Sequence, residues 1–197
     1  MFTGIIRQLG TVERMARSRE VVRLTIRSLH LASTVRALES IAVNGVCLSV
    51  VDIRHGCLVF EMIPETLSLT TLGSLRAGSR VHLEPSLCLS DRLNGHVVFG
   101  HVDGTGTVLK RRQLAGELVL EIRVPPRLRD VIVPKGPVTV DGVSLTVGRT
   151  VGSSTFTLHL IPETLRQTIL DARRPGDRVN IELDYLAKLV RQFVRSR

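Results

Sequence analysis

Two short stretches of the sequence place reactive side chains at the same point of the same turn. The segment NGVCLSV occupies residues 44–50, and DGVSLTV occupies residues 141–147. Cys47 in the first stretch therefore corresponds to Ser144 in the second. A thiol can act as a nucleophile, and a hydroxyl can serve as a polar contact or be activated by a base. A free cysteine is commonly a small buried apolar residue, but the match with a hydroxyl favours a functional role for Cys47.

Two histidines in the segment GHVVFGHV are the clearest candidates for proton transfer. His96 and His101 are five residues apart, and on one regular strand they would point to opposite faces of the sheet. Only one of them is then expected to face a pocket. An imidazole exchanges protons near neutral pH, so the histidine that faces the pocket is a candidate acid or base.

These features belong to a duplication that spans the chain. Matching segments lie 96 to 98 positions apart, and the pentapeptide IPETL occurs at residues 63–67 and again at 161–165. The segment RAGSRVHLE also returns as RPGDRVNIE. Self-similarity of this length indicates two copies of one domain. We place the first copy at residues 1–90 and the second at residues 91–184.

Each copy is predicted to be a β domain. Apolar and polar side chains alternate in VRLTIR (22–27), LVFEM (58–62) and FTLHL (156–160), which is typical of strands with one buried face. The Asn-Gly and Asp-Gly turns favour hairpins, and Pro64 and Pro162 suit the first position of short helices. Many short strands without a long crossover helix indicate a closed Greek-key barrel in each copy.

The last residues, 185–197, have a different pattern and no counterpart after the first copy. Apolar residues recur at helical spacing, while basic residues are expected on the other side. The apolar set is Leu186, Leu189, Val190 and Phe193, and the basic set is Lys188, Arg191 and Arg195. This segment is predicted to be an amphipathic helix. A short helix needs something to pack on, which leaves two alternatives: oligomerisation, or packing against its own barrel.

Composition narrows the class of protein. The 197 residues carry a formal net charge of +9, mostly from scattered arginines, and only 3% of residues are aromatic. A nucleic-acid-binding protein would be expected to cluster its basic residues and to offer rings for base stacking. No apolar run is long enough for a membrane helix, and the N-terminus lacks a secretory pattern. Three cysteines without metal spacing fit reduced thiols in a cytoplasm.

The ordered set of motifs resembles the riboflavin synthase family, alpha-chain type. The motifs are MFTGII, NGVCLSV, two copies of PETL, GHVVFGHVDGTG, VDGVSLTV and the amphipathic C-terminal helix. The resemblance implies an all-β fold of two tandem six-stranded Greek-key barrels and a homotrimer held together by the C-terminal helices. It also implies lumazine synthase as a partner.

The resemblance further implies a reaction that uses neither cofactor nor metal. Two molecules of 6,7-dimethyl-8-ribityllumazine exchange a four-carbon unit and give riboflavin and 5-amino-6-(D-ribitylamino)uracil. A reaction between two identical molecules explains the duplication, because two related pockets can hold the pair face to face. Positioning of this kind can remove about 7–11 kcal/mol of a bimolecular barrier at best.

The family pattern also assigns roles to individual residues. Carried over position by position, it implies five catalytic residues: Cys47, His101, Ser144, Asp141 and Ser40. His101 is the preferred residue for proton transfer, whereas His96 is interpreted as a hydrogen-bonded structural residue near the linker between the barrels. Together with Cys47, His101 and Ser144, the implied substrate contacts are Gly4, Ile5, Ile6, Leu48, Ser49, Met62, Ile63, Glu65, Thr66, Gly100, Val102, Lys135, Leu145, Thr146, Leu160, Ile161, Glu163 and Thr164.

A second function remains open for the same fold. A non-catalytic lumazine- or flavin-binding protein would share the barrels, but relatives of that kind lose the functional groups of one half. This chain keeps Cys47 and His101 as well as Ser144, Thr146 and Asp141. The sequence therefore favours the enzyme.

Overall fold

The chain folds into two closed antiparallel barrels and a C-terminal helix. The structure is a computed structural model that describes residues 1–152 and 154–195. Each barrel has six strands. The prediction of an all-β, duplicated fold is confirmed.

The first barrel contains strands β1 to β6, which close in the order β1-β2-β5-β4-β3-β6. Their bounds are β1 Gln8–Arg17, β2 Val22–Arg27, β3 Ser40–Val43, β4 Val46–Arg54, β5 Cys57–Met62 and β6 Arg80–Pro85. The second barrel repeats this order with strands β7 to β12. Their bounds are β7 Gly104–Leu114, β8 Glu117–Arg123, β9 Pro137–Val140, β10 Val143–Val151, β11 Thr155–Leu160 and β12 Arg178–Leu183.

Alternation of buried and exposed side chains explains only part of the strands. Consecutive residues are buried in β3, β6, β9 and β12, and also in β5 and β11. In β2 every second residue is buried, as expected. In β5 the alternation fails, because Val59 is buried as well as its neighbours Leu58 and Phe60. Thr157 in β11 is likewise buried. Thr157 faces the neighbouring strand β10, where its hydroxyl accepts a hydrogen bond from the Arg149 backbone N–H at 3.1 Å.

Short helices connect the strands and follow the duplication. They are α1 Leu29–Thr34, α2 Pro64–Leu69, α3 Pro126–Arg129 and α4 Pro162–Gln167, with 3₁₀ turns at Thr71–Ser74 and Leu170–Ala172. Pro64 and Pro162 occupy the first helical position, as predicted. The ring of proline fixes a φ suitable for a helix, and the missing N–H would have no partner there in any case.

The two hairpin turns meet at the seam between the barrels. Asn44-Gly45 and Asp141-Gly142 all have positive φ angles, as expected for such turns. A Cβ atom added to Gly45 would lie 2.6 Å from the backbone nitrogen of Gly142, and one added to Gly142 would lie 2.6 Å from that of Gly45. The close approach of the two backbones therefore requires glycine on both sides.

A buried polar network joins the barrels around these turns. The Asn180 side chain accepts the Thr71 N–H at 2.7 Å and donates to the Asn44 carbonyl at 2.8 Å. At the matching position, the His82 ring accepts the Ile169 N–H at 2.8 Å, and its other nitrogen lies 2.7 Å from the Asp141 carbonyl oxygen. His82 and Asn180 are both buried. Each barrel thus satisfies backbone groups of the other, which fixes their relative position.

The last element, α5, extends over Tyr185–Arg195. Its charged side docks on the second barrel: Lys188 Nζ lies 3.0 Å from Asp103, and Arg191 lies 2.7 Å from Asp130. The apolar side is open, since Leu186, Val190, Phe193 and Val194 are 63 to 72% exposed. The helix therefore packs back on its own barrel through these ion pairs and through Ala187, which lies against the barrel core, and it leaves the four apolar side chains exposed. The Arg195 side chain and residues 196–197 lie outside the described residues.

Candidate functional site

Cys47 lies at the start of β4 and is covered by a segment of the second copy. Its thiol is free and half-buried. The Cys47 backbone N–H donates to the Gly100 carbonyl at 2.9 Å. Gly100 has a φ of +74°, and an added Cβ would lie 2.7 Å from the Cys47 Cβ. Only glycine allows this approach. His101, the residue that follows Gly100 in the sequence, is exposed.

Ser144 has the mirror-image arrangement. Its backbone N–H donates to the Gly4 carbonyl at 2.7 Å, and a Cβ on Gly4, whose φ is also +74°, would lie 2.7 Å from the Ser144 Cβ. The segment around Gly4 belongs to the first copy and the turn at Ser144 to the second. The two copies therefore exchange their leading segments.

The exchange continues on both sides of the glycines. Phe2 and Val98 pair through two backbone hydrogen bonds of 2.7 and 3.1 Å. Ile6 packs against the core of the second barrel, whereas Val102 packs against the core of the first. We name residues 1–6 the first strap and residues 96–102 the second strap. Each candidate turn is thus built from one barrel and from the strap that precedes the other.

Two buried glutamates hold the straps, and sequence analysis missed both. Glu84 accepts the Thr3 and Gly4 N–H groups at 2.7 and 3.0 Å, and Glu182 accepts those of Phe99 and Gly100 at 2.8 and 3.0 Å. Burial raises the pKa of both carboxyls, and these hydrogen bonds lower it in part. Glu84 is the last residue of the segment RAGSRVHLE, and Glu182 is the last residue of its repeat RPGDRVNIE. The presence of a glutamate at the same position of both copies was the sequence signal that could have identified them.

His96 contacts Ser144 directly. Its Nδ1 lies 2.7 Å from the Ser144 hydroxyl and its Nε2 lies 3.1 Å from the Thr139 hydroxyl. Burial lowers the pKa of His96, while the charge of Asp184 opposes this shift. A neutral imidazole has one donor and one acceptor nitrogen, so one of the two hydroxyls donates to the ring and the other accepts from it.

The expectation that His96 and His101 lie on one regular strand is wrong. Residues 99–103 belong to no strand, and Val98 forms only an isolated bridge. The positive φ of Gly100 breaks any extended run between the two histidines. His96 turns towards Ser144, whereas His101 is exposed and stacks on Phe99 with ring centroids 5.9 Å apart. Phe99 in turn contacts Tyr185 of α5, at 4.9 Å between ring centroids.

Asp141 lies in the seam and is completely buried. One carboxylate oxygen accepts the Asn180 N–H at 2.8 Å, and the other accepts from Arg173 at 2.6 Å. These contacts hold the turn that presents Ser144. A catalytic role for this carboxylate stays a prediction.

The hydroxyl residues beside the two turns lie on neighbouring strands. Ser40 of β3 pairs in register with Ser49 of β4. Ser49 lies two residues after Cys47 on the same strand. Thr146 of β10 pairs with Pro137 of β9 and is exposed. Leu48 is buried and Leu145 is partly buried in the barrel cores. Ser40, Ser49 and Thr146 are therefore near the turns, with roles in substrate contact that stay predictions.

The strand ends that lead into α2 and α4 provide matched apolar surfaces. Met62 and Leu160 are each 1% exposed, whereas the following residues Ile63 and Ile161 are 51% and 59% exposed. Glu65 and Thr66 follow Pro64 in the first copy, and Glu163 and Thr164 follow Pro162 in the second. Glu163 is engaged by Arg166 and Gln167 on its own helix, and the Gln167 and Arg166 hydrogen bonds lower its pKa.

Lys135 lies beside the end of the DGVSLTV segment, because its backbone N–H donates to the Val147 carbonyl at 2.9 Å. It has a φ of +65° and lines a cavity of about 450 Å³ with Arg149, Thr157 and His159. Within the described residues, no group of three or more His, Cys, Asp or Glu side chains is placed to hold a metal ion. Across the same part of the chain, every helix is too short or too polar to cross a membrane.

Comparison with known proteins supports the duplication. The family model described as the lumazine-binding domain matches residues 3–86 and again residues 99–184. The structures of LumP complexed with riboflavin and with 6,7-dimethyl-8-(1'-D-ribityl)lumazine have TM-scores of 0.86 and 0.84. Sequence identity to them is 23% and 22%, over 93% of this chain and 100% and 99% of theirs, so they show the shared fold.

Full-length sequence relatives are closer in identity. Riboflavin synthase of Bacillus subtilis is 39% identical over 197 residues, which is 100% of this chain and 91% of that protein. Riboflavin synthase of Mycobacterium bovis is 42% identical over 199 aligned residues, with coverage of 100% and 99%. With both copies of the lumazine-binding domain matched and relatives aligned from end to end, the chain belongs to the riboflavin synthase family.

Proposed function

We propose that this protein is a riboflavin synthase that converts two molecules of 6,7-dimethyl-8-ribityllumazine into riboflavin and 5-amino-6-(D-ribitylamino)uracil. One molecule gives a four-carbon unit and the other receives it, so atoms balance without an oxidant or a reductant. The observation that carries the proposal is the pair of matched turn sites, at Cys47 and Ser144, in a chain with full-length riboflavin synthase relatives.

The chemistry assigned to each site follows its side chains. His101 is exposed and follows Gly100, whose carbonyl accepts the Cys47 N–H, and its imidazole is suited to exchange protons with a bound lumazine. The Cys47 thiol serves as a polar contact or a transient nucleophile. At the other turn, His96 lies at hydrogen-bond distance from the Ser144 hydroxyl and can polarise it. Ser40 and Asp141 assist from the neighbouring strand and from the seam.

The experiment that tests this function needs only the purified protein and its substrate. Incubation with 6,7-dimethyl-8-ribityllumazine, without added metal or nucleotide, should produce riboflavin, detected by its fluorescence. An equal molar amount of 5-amino-6-(D-ribitylamino)uracil should form with it. Binding of the lumazine without any product, at all protein concentrations, would favour the alternative function. That alternative is a non-catalytic lumazine- or flavin-binding protein, and the fold shared with LumP is the observation in its favour.

We also infer a homotrimer in which the C-terminal helices meet. The open apolar side of α5 supports this assembly, since Phe193 is 72% and Val190 is 63% exposed and large exposed apolar patches mark interaction sites. Light scattering should give three chains per particle for the wild type and one chain for the double variant Val190→Glu/Phe193→Glu. Leu89→Glu is the control, because Leu89 is fully exposed elsewhere. A monomeric wild type would contradict the assembly.

Two further features complete the proposal. Cys47, Cys57 and Cys88 are all free thiols, which supports a location in the reducing cytoplasm. Lumazine synthase stays the predicted macromolecular partner, on the family resemblance. Domain bounds of 1–90, 91–184 and 185–197 are proposed on the same basis, with the first strap contributing to the site of the second domain.

A further inference from the structure

A cleft of about 640 Å³ lies between the barrels, beside the seam. Its walls come from the 3₁₀ turns and from the turns before β6 and β12, which are equivalent segments of the two copies. The lining residues include Thr71, Arg76, Arg80, Arg173, Asp177 and Arg178. None of them belongs to the candidate site, so the inference does not rest on the proposed function.

The walls of the cleft are strongly basic. Arg76 and Arg80 come from the first copy, and Arg173 and Arg178 come from the second. The only acidic side chain among the described lining residues is Asp177, and its carboxylate already accepts the Arg174 N–H at 2.8 Å. One of the four arginines, Arg173, is bound to the buried Asp141. The cleft therefore has excess positive charge and attracts anions.

A buried hydroxyl in the wall has no partner. Thr71 is 8% exposed, and its Oγ1 makes no hydrogen bond within the described residues. The Arg173 Nε is likewise buried without an acceptor there. A buried donor without a partner costs about 1–3 kcal/mol, so its presence needs an explanation. The equivalent of Thr71 in the second copy is the apolar Ile169, which shows that the fold does not require a hydroxyl at this position.

We propose that this cleft binds the phosphate group of a small molecule. Guanidinium groups bind phosphate oxygens through paired N–H donors, and the free Thr71 hydroxyl can donate to the same group. The volume lies within the range of small-molecule sites, which leaves room for more than a lone phosphate ion. No aromatic side chain appears among the described lining residues, which disfavours a nucleobase as the remainder of the ligand.

Calorimetric titration of the full-length protein tests the proposal, with inorganic phosphate and ribose 5-phosphate as the probes. We expect saturable binding of at least one probe, with a Kd that rises about tenfold or more in Arg76→Gln/Arg80→Gln. Tighter binding of the ester would assign the site to a phosphorylated metabolite, and tighter binding of phosphate would assign it to the free ion. Arg19→Gln/Arg36→Gln is the matched control, because it removes two exposed arginines outside the cleft.

The variant Thr71→Val separates a ligand-binding hydroxyl from one that is merely unpaired. If the hydroxyl binds phosphate, the Kd should rise about tenfold while the melting temperature without ligand stays equal or increases. Failure of both probes to bind would overturn the proposal. So would equal Kd values in the two double-arginine variants, or a Kd unchanged by Thr71→Val.

Discussion

The two barrels share a backbone but differ in the side chains that the backbone presents. Matched positions keep the same residue where main chain packs on main chain, as at Gly45 and Gly142. They also keep Glu84 and Glu182, which hold the straps. They differ where a side chain faces the site or the seam: Cys47 against Ser144, Asn44 against Asp141, His82 against Asn180 and Leu75 against Arg173.

The difference teaches which constraints belong to the fold and which to chemistry. A Cβ added to either turn glycine would lie 2.6 Å from the backbone nitrogen of the other, so both copies must keep glycine. The seam needs a donor and an acceptor at its centre, and both His82 and Asn180 supply them. Two substrates with different roles need unlike side chains at the turns. His96 lies at hydrogen-bond distance from the Ser144 hydroxyl, and no histidine has the equivalent contact with Cys47 among the described residues.

The largest effect is expected from breaking the contact between the turns. Gly45→Ala places a Cβ 2.6 Å from the Gly142 nitrogen, so the barrels must move apart. Gly78→Ala is the control, since Gly78 has a similar φ of +85° and open space around it. The free energy of unfolding should fall about 2–3 kcal/mol further for Gly45→Ala than for the control. Equal losses in denaturant titrations would mean that the turns tolerate separation.

An intermediate effect is expected from making the two turn sites alike. Cys47→Ser gives the first turn the hydroxyl of the second, so kcat should fall about tenfold or more, equivalent to about 1.4 kcal/mol of transition-state stabilisation. KM should change much less, because the substrate contacts remain. Cys57→Ser is the control, because this buried cysteine lies in β5, away from the turns. Steady-state kinetics with equal losses for both variants would remove Cys47 from the site.

The smallest effect is expected from giving the two matched positions of the seam, 82 and 180, the same residue. Burial lowers the pKa of His82, although the charge of Asp141 opposes this shift and those of Arg173 and Arg80 add to it. As the pH falls below about 6.5, the unfolded chain takes up a proton that folded His82 resists, so stability present at higher pH is lost. His82→Asn copies Asn180 and should remove this loss, which amounts to about 1 kcal/mol between pH 7.5 and 5.5.

Denaturant titrations at the two pH values measure this change directly. Other groups with shifted pKa values, such as Glu84 and His96, are present in both proteins and cancel in the difference. An identical pH dependence for wild type and His82→Asn would show that His82 is not the source.

Features carried by local pattern could be predicted from the sequence. The Asn-Gly and Asp-Gly turns, the prolines that begin α2 and α4 and the period-two strands each depend on a few adjacent residues, and the duplication confirmed each pattern a second time. The amphipathic helix was equally local. Its contact through Lys188 and Asp103 depends on residues 85 positions apart, and the sequence left its packing open.

Features that depend on distant partners could not be predicted. His82 binds Ile169 and Asn180 binds Thr71, at separations of 87 and 109 residues, and no spacing rule links them. The two histidines were misplaced because the positive φ of Gly100 was not apparent from the sequence. The turn sites were identified, but the exchange of straps that completes them was not, since it pairs Gly4 with the second copy and Gly100 with the first.

The crossed straps bind the two barrels to each other by non-covalent contacts, independently of the chain segment that connects the barrels. Phe2 is 0% exposed against Val98, while Leu89 between the two halves is fully exposed. A protease that nicks the chain near Leu89 would therefore release nothing: the two fragments would elute together from a sizing column and part only in denaturant.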